Sequence, residues 1–413
     1  MKRRGFLAAT VGTASVLAGC VIGRLDEPTD AGQPEPDGSP AFAPDQLPVT
    51  DVELEVGAPR DAIPAIVDPA FGPDWSGIEL DVRTASGSKT IRPRLADADL
   101  VVGLERDGEA RAYPLRILDW HEVVNETFDG PLLVTYCPLC RSAVVAERTV
   151  HGSAARFGGS GRAAPGAAED GVVTSFGVSG LLYRGNLVLY DDLTGSLWSQ
   201  IVATAIQGPE TGARLAIEPS TLTTWGRWRE IHDGTSVLLP PPLSRTVSAD
   251  AGTRDYTVDP YDSYRASGAT RPFGSYGSAE ENANDYLELT GHHPKTLVLG
   301  VEHDGVARAY PLDAVRRAGV VNDRVDGLPV VVTAVDDSLA GYDRRVDGTA
   351  LEFSPAGPAH LRADGSRWRR HDGTAVDGPH EGARLAPATG TSPLFWFAWR
   401  SLNPETTVYG DGD

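Results

Sequence analysis

Two stretches of this chain are repeated, in the same order, further along it, and this repetition constrains the fold more than any other feature. The segment LVVGLERDGEARAYPL at 100–115 returns at 297–312 as LVLGVEHDGVARAYPL. The segment VVNETFDGPLLVT at 123–135 returns at 320–333 with one inserted residue. Shorter matches follow in the same order: GSLW and GSRW, GPETGARLA and GPHEGARLA, and the tryptophan pairs Trp225/Trp228 and Trp396/Trp399. Such long-range self-similarity predicts two diverged tandem copies of one structural unit.

Within each copy, short β-branched and aromatic runs alternate with Asp-Gly and Gly-Pro pairs, a pattern typical of strands joined by tight turns. The clearest helical stretch is YPLRILDW, where Pro114 suits a first helical turn. The fold class predicted from these patterns is mainly β with short helices, a β-rich α+β arrangement. Whether the two copies form two domains or two halves of one pseudo-symmetric domain stays open at this point.

The matches and the changes in composition divide the chain into six predicted segments. The segment between the two copies is rich in Pro, Tyr, Ser and Gly, which favours a long connector over a further folded unit. The predicted segments are an export signal peptide (1–19), a lipid-anchored disordered tether (20–48), an N-terminal lead-in (49–95), a first repeat unit (96–240), a connector (241–295) and a second, degenerate repeat unit (296–410).

The first twenty residues, MKRRGFLAATVGTASVLAGC, have the features of an export signal. A basic start precedes a short apolar run, and the paired arginines resemble a twin-arginine signal. The following LAGC resembles a lipobox, which predicts lipid attachment at Cys20. Residues 21–48 are rich in Pro, Asp, Gly and Glu, a composition that cannot bury enough apolar surface to fold. We therefore expect an extracytoplasmic lipoprotein anchored to the outer face of the cell membrane.

The charge balance argues against a nucleic-acid partner and indicates a salt-rich environment. The formal net charge is −20, and only three lysines are present. A scattered acidic, lysine-poor composition resembles that of proteins from salt-loving archaea. No basic stripe exists to release counterions from phosphates, so nucleic-acid binding is not expected.

Four residues of the first copy carry chemistry that the second copy lacks. Features shared by both copies are those that the fold itself needs, whereas features present in one copy are free of that demand. Aligned through the flanking matches, His121, Glu122, Cys137 and Cys140 face Ala318, Gly319, Val335 and Ser338.

A hairpin is expected to bring these four residues together. Residues 122–136 alternate as strand, Asp129-Gly130 turn and strand, and Asp-Gly between apolar runs is a strong hairpin signal. If these two residues form the turn, Glu122 lies opposite Cys137, and His121 lies opposite the next residue along. Opposed side chains have Cβ atoms about 4.5–5.5 Å apart. The imidazole and the carboxylate would then lie at the mouth of the CxxC turn.

Three interpretations of this cluster stay open. Cys137, Cys140 and His121 could bind a metal such as copper or zinc, with Glu122 and Asn125 supporting the ligands through hydrogen bonds. The two thiols could instead form a reactive redox pair. The third interpretation is a structural disulfide in a non-catalytic binding or scaffold module. Enzymatic activity is undecided, and a membrane redox or metal-handling system is a possible partner.

Several motifs together resemble one known family. They are RAYPLRILDWHEVVNETFDGPLLVTYCPLCRSA, SFGVSG, LVLYDDLTGSLWSQ and FWFAW. This combination, and the Tyr-Cys-Pro-Leu-Cys motif above all, is similar to the domain of unknown function 3179 family, whose members are exported or lipid-anchored proteins of bacteria and archaea. The resemblance covers about 95–410 and implies a shared site around His121, Cys137 and Cys140. It implies no activity.

Overall fold

Short strands closed by tight turns build most of the protein, as a computed structural model shows. The structure describes residues 46–84, 87–150, 171–247, 253–267 and 287–411. Strands account for 43% of the structure and helices for 14%, which confirms the mainly β prediction. The turns use the predicted chemistry, because Asp107, Asp129, Asp304 and Asp326 all adopt positive φ beside a glycine.

Among the described residues, nineteen strands precede residue 250. They are β1 (Leu54–Val56), β2 (Ile66–Asp68), β3 (Phe71–Gly72), β4 (Leu80–Thr84), β5 (Gly87–Ile91), β6 (Leu100–Arg106), β7 (Glu109–Pro114), β8 (Val123–Thr127), β9 (Pro131–Cys137), β10 (Ser142–Glu147), β11 (Thr149–Val150), β12 (Val172–Val173), β13 (Phe176–Tyr183), β14 (Asn186–Asp191), β15 (Leu197–Ser199), β16 (Thr204–Gln207), β17 (Thr221–Thr224), β18 (Ser236–Leu238) and β19 (Arg245–Thr246).

Twelve further strands follow in the described residues: β20 (Leu297–His303), β21 (Val306–Pro311), β22 (Val321–Val325), β23 (Leu328–Val335), β24 (Ser338–Asp343), β25 (Arg345–Val346), β26 (Thr349–Ala350), β27 (Ser354–Pro355), β28 (His360–Ala363), β29 (Ser366–Arg369), β30 (Leu394–Phe395) and β31 (Thr407–Val408). The short α-helices described are α1 (Leu115–His121), α2 (Trp225–Ile231), α3 (Asp262–Ala266), α4 (Leu312–Ala318) and α5 (Trp396–Leu402).

Six small sheets form a propeller-like ring. Three of them have five strands each, in the orders β1-β13-β14-β15-β16, β10-β9-β8-β2-β19 and β17-β6-β7-β18-β3. The others are β30-β20-β21-β31, β22-β23-β24 and β27-β28-β29, and three two-stranded sheets complete the described strands.

The hairpin that carries the CxxC motif has a register one residue away from the prediction. Val123 lies opposite Thr135, and Thr127 lies opposite Pro131, so the loop contains three residues rather than the Asp-Gly pair alone. The reason is Phe128, whose ring is buried in the core and whose amide donates to the Gly130 carbonyl. The prediction that Glu122 faces Cys137 is therefore wrong: the Tyr136 amide donates to the Glu122 carbonyl instead.

An asparagine clamps neighbouring backbone in the same way in each half of the chain. The Asn125 amide accepts a hydrogen bond from Phe176 N at 2.7 Å and donates to Phe176 O at 2.9 Å. Asn322 makes the same pair of bonds with Phe353, at 2.9 and 2.8 Å. Asn125 is predicted to support a metal ligand, but its side chain bonds backbone groups of Phe176 and Ile66 instead.

One core contains side chains from both predicted repeat units. The two cysteines and Leu139 belong to the same buried cluster as Val298 and the aromatic run 395–397. All described residues lie in one compact unit. The predicted segment boundaries themselves stay predictions.

The predicted signal peptide, Cys20 and almost all of the predicted tether lie outside the described residues. Among the residues that are described, no helix has the length and apolar character needed to cross a bilayer.

The asparagine clamp makes a testable contribution to stability. Asn125→Ala leaves the buried Phe176 amide and carbonyl without their partner, which costs about 1–3 kcal/mol. Asn322→Ala should cost less, because Asn322 is half-buried and water can replace its amide. Urea unfolding of both variants measures the difference. An equal or larger loss for Asn322→Ala would contradict this account.

Candidate functional site

Cys137 and Cys140 form a disulfide across the turn between β9 and β10. Cys137 ends β9, and Ser142 opens β10 directly opposite it. Both cysteines are buried, at 1% and 0% exposure. Arg141 completes the turn with a positive φ of 56°. The two sulfur atoms that were predicted to converge are therefore bonded to each other.

The corresponding hairpin in the second half is shorter. Between β23 and β24 the turn consists of Asp336 and Asp337 alone, and Ser338 pairs with Val335. Val335 therefore corresponds to Cys137, and Ser338 to Ser142. The expectation that Ser338 replaces Cys140 is corrected by this register, because Cys140 sits in two residues of turn that the second hairpin lacks.

Two other parts of the chain close over the CxxC turn. The Tyr264 hydroxyl donates to the Leu139 carbonyl at 3.0 Å, and the Phe395 amide donates to the Cys140 carbonyl at 2.9 Å. Tyr264 belongs to the predicted connector and Phe395 to the predicted second unit. The disulfide is therefore enclosed by residues far away in sequence.

A buried hydrogen-bond network beside Cys140 was missed by the sequence analysis. Gln200 donates to Thr135 Oγ1 at 3.0 Å and accepts from Ser142 Oγ at 3.1 Å, and Ser142 Oγ also lies 3.5 Å from Cys140 Sγ. The available signal was position: Gln200 follows Gly-Ser-Leu-Trp by two residues, and Arg370 occupies the same place after Gly-Ser-Arg-Trp in the predicted second copy.

His121 lies at the end of α1 with both ring nitrogens engaged away from the sulfurs. Nδ1 donates to the Pro64 carbonyl at 2.7 Å, which leaves Nε2 to accept from the Tyr256 hydroxyl at 2.8 Å. Burial lowers the pKa of His121 to about 4, so the ring is neutral at pH 7. Within the described ranges no group of three or more His, Cys, Asp or Glu is placed to hold a metal ion. The metal interpretation stays a prediction.

Glu122 is the most unusual residue of the site. It ends α1 in the left-handed conformation, with φ 56° and ψ −26°, and it is 4% exposed. Gly319 fills the same helix-ending position in the second half, as is usual for this conformation. The Tyr261 hydroxyl donates to Glu122 Oε1 at 3.4 Å. Burial raises the pKa of Glu122 to about 8. A strained and buried acid marks a functional candidate.

Asp119, one helical turn earlier, is a second buried acid that the sequence analysis did not single out. Arg265 donates to Asp119 Oδ1 at 2.5 Å. Burial nevertheless raises the pKa of Asp119 to about 7, against the lowering effect of the Arg265 guanidinium. Burial likewise raises the pKa of Tyr136, which neighbours both groups. The i, i+3 spacing of Asp119 and Glu122 was the signal that could have found this pair.

Comparison with known proteins identifies one family. Residues 60–406 match the family model described as "Protein of unknown function (DUF3179)". The chain belongs to the DUF3179 family. No curated protein and no solved structure matches this DUF3179 chain. The family resemblance inferred from the motifs is thereby confirmed, and the CPLC turn, the buried acids and the shared core all lie within the matched range.

The raised pKa of Glu122 predicts a pH dependence of stability. Because the folded-state pKa of about 8 lies above the ordinary 4.5, the contribution of this carboxyl is fully present below pH 4.5. It is lost as the pH rises through about 8. Glu122→Gln keeps the side-chain size and removes the buried charge. The variant should therefore gain stability over the wild type as the pH rises.

Urea unfolding at about pH 5 and about pH 9 measures this difference. Glu405→Gln at an exposed position controls for the loss of one charge. An advantage of Glu122→Gln that is the same at both pH values would show that Glu122 is not a buried acid of raised pKa.

Proposed function

We propose that this DUF3179 chain is a thiol–disulfide redox protein whose reactive pair is Cys137 and Cys140. The observation that carries the proposal is the hairpin β23–β24. Its strands pair as β9 and β10 do, but it closes with the shorter turn Asp336-Asp337, which contains no sulfur. Closing such a hairpin therefore requires no disulfide, which leaves a chemical use for the two extra turn residues of the first half.

Energetics favour the same choice. In the chain-entropy account, a disulfide stabilises the fold mainly by restricting the unfolded chain, and a cross-link that encloses only four residues contributes only about 2 kcal/mol. The same half of the chain also buries Asp119 and Glu122, which is costly for carboxyl groups. Neither acid has an acidic counterpart in the second half, where Arg316 and Gly319 stand. Costly features confined to one half are better explained by function than by stability.

The proposed reaction is exchange with a dithiol of a partner protein. A partner thiolate attacks one sulfur of the Cys137–Cys140 disulfide, the S–S bond breaks, and a mixed disulfide forms. The second partner thiolate then displaces the remaining sulfur. Two electrons and two protons pass from the partner dithiol to the cysteine pair, and the partner becomes a disulfide. The reverse direction balances in the same way.

Two other functions give the test its alternative outcomes. Copper or zinc binding would first require reduction, since both sulfurs are now bonded to each other. A binding or scaffold module with a structural disulfide is favoured by one observation, the complete burial of both cysteines. The redox proposal therefore requires that the residues covering the disulfide can move away and expose it to a partner thiol.

A redox titration separates these functions. The chain is equilibrated in dithiothreitol buffers of graded potential, the thiols at Cys137 and Cys140 are counted by alkylation and peptide mass spectrometry, and circular dichroism reports the fold. We expect two thiols to appear reversibly with unchanged β-sheet signal. Cys137→Ser with Cys140→Ser should also fold, with a loss of no more than about 2 kcal/mol.

Loss of the β-sheet signal on reduction would support the structural disulfide and defeat the redox proposal. Stoichiometric uptake of zinc or copper(I) by the reduced protein, lost in His121→Ala, would support the metal interpretation instead.

Duplication of one unit is part of the same proposal. The order hairpin, helix, hairpin, strand recurs as β6–β7–α1–β8–β9–β10 and β20–β21–α4–β22–β23–β24. The asparagine clamps recur as well, and so do edge-to-face contacts of Phe176 with Trp198 and of Phe353 with Trp368, at 5.6 and 5.7 Å. These correspondences support two diverged copies, of which the first kept or acquired the reactive site.

Anchoring outside the cytoplasmic membrane also belongs to the proposal. The twin-arginine-like start and the LAGC sequence support it, and an oxidising compartment suits a protein that holds a disulfide. The predicted tether, residues 20–48, would hold the folded part of the chain near a membrane redox partner. The acidic, lysine-poor composition supports a salt-rich environment.

Cys20→Ser tests the anchor. The wild-type chain should partition with membranes and enter detergent, and the variant should be released or fail to mature. One chain of myristoyl length gives only marginal binding, so the expectation assumes a lipid with more than one chain. Wild-type Cys20 found unmodified by mass spectrometry would contradict the expectation.

A further inference from the structure

We propose that residues 259–267, DPYDSYRAS, form a lid that controls access to the Cys137–Cys140 disulfide. This inference rests on the proposed redox function. The lid consists of the turn at Asp259, helix α3 and Ser267, and it belongs to the segment predicted only as a connector.

Three hydrogen bonds of the lid to the first half fall on the candidate site. Tyr261 bonds Glu122, Tyr264 bonds the carbonyl of Leu139 inside the CxxC turn, and Arg265 bonds Asp119. One nine-residue segment therefore touches both buried acids and the disulfide turn.

A lysine holds the far end of the lid. Lys295 Nζ donates to the carbonyls of Tyr264 and Ser267, the latter at 2.7 Å, and it stands 3.5 Å from the centre of the Tyr264 ring. The chain has only three lysines. The other lysine in the described residues, Lys89, contacts Asp255 just before the lid.

The segment before the lid is anchored differently. Tyr256 is fully buried and its hydroxyl donates to His121 Nε2. The lid itself pairs with no strand in the described part of the chain. Side-chain hydrogen bonds and the packing of Tyr264 and Tyr261 on the core cluster of the disulfide hold it to the first half. Segments held this way open at lower free energy than segments paired in sheets. Tyr256 thus marks the fixed end, and residues 259–267 the end that can lift.

Opening would expose the CxxC turn to a partner thiol. Tyr264 is 9% exposed and covers Leu139, so lifting it uncovers the turn while Phe395 stays in the core. Arg265 would then leave Asp119, and Tyr261 would leave Glu122. The lid explains how a disulfide at 0–1% exposure can take part in exchange.

The rate of reduction under native conditions tests the lid. The oxidised full-length chain is mixed with dithiothreitol, and free thiol at Cys137 is followed by alkylation and peptide mass spectrometry. Arg265→Gln removes a charge-assisted bond to Asp119 and should accelerate reduction about tenfold or more, since reactivity follows the population of the open form. Tyr264→Phe removes one neutral hydrogen bond and should accelerate it less.

Arg316→Gln is the matched control. Arg316 sits in α4 at the position equivalent to Asp119 and bonds the Asp336-Asp337 turn at 2.7 and 2.5 Å. The control should leave the reduction rate at the wild-type value, with circular dichroism confirming that all variants are folded. A rate unchanged in Arg265→Gln, or raised equally in Arg316→Gln, would overturn the lid.

The redox titration is independent of this result. The lid proposal can fail while reversible reduction of the disulfide stands. Conversely, a disulfide whose reduction unfolds the chain can still be covered by the lid.

Discussion

The site depends on how helix α1 ends. Its last turn passes through Glu122 in the left-handed conformation, and the chain then enters β8 at once. The Glu122 carbonyl accepts a hydrogen bond from the Tyr136 amide, and this bond fixes the register of β8 against β9. The register in turn sets where along the sheet β9 ends at Cys137. The same backbone step places Asp119 one turn back, beneath Arg265. The positions of the acids, the CxxC turn and the lid thus all follow from one helix end.

The two halves use this helix end differently. Gly319 adopts a positive φ of 76° without strain, and the exposed Arg316 side chain reaches out to the turn of its own hairpin. In the first half, Glu122 takes the glycine position, a choice that costs backbone strain as well as desolvation of a carboxyl. Arg265 offsets part of that cost at Asp119. The proposed redox function gives a reason why these costs are confined to one half.

The sequence predicted the elements well where local patterns decide them. Asp-Gly pairs and β-branched runs gave the hairpins, and the stretch around Pro114 gave α1, since these signals act within a few residues. Pro114 itself ends β7 and precedes the helix, rather than entering its first turn as predicted. The hairpin register was wrong by one because burial of Phe128 overrode the turn preference of Asp129-Gly130. The direction of the His121 ring was beyond reach, since Pro64 and Tyr256 come from distant segments. Gln200 and Arg265 were missed for the same reason: their partners are set by tertiary packing.

Ionic strength affects the charges on the surface of this protein and the charges at its candidate site differently. Scattered surface carboxylates are screened at high ionic strength, where interactions beyond a few ångströms vanish, so a net charge of −20 costs little stability there. The bond between Arg265 and Asp119 lies at 24% and 8% side-chain exposure, and partly buried pairs are screened much less. High salt would therefore weaken the surface electrostatics while leaving the lid contact in place.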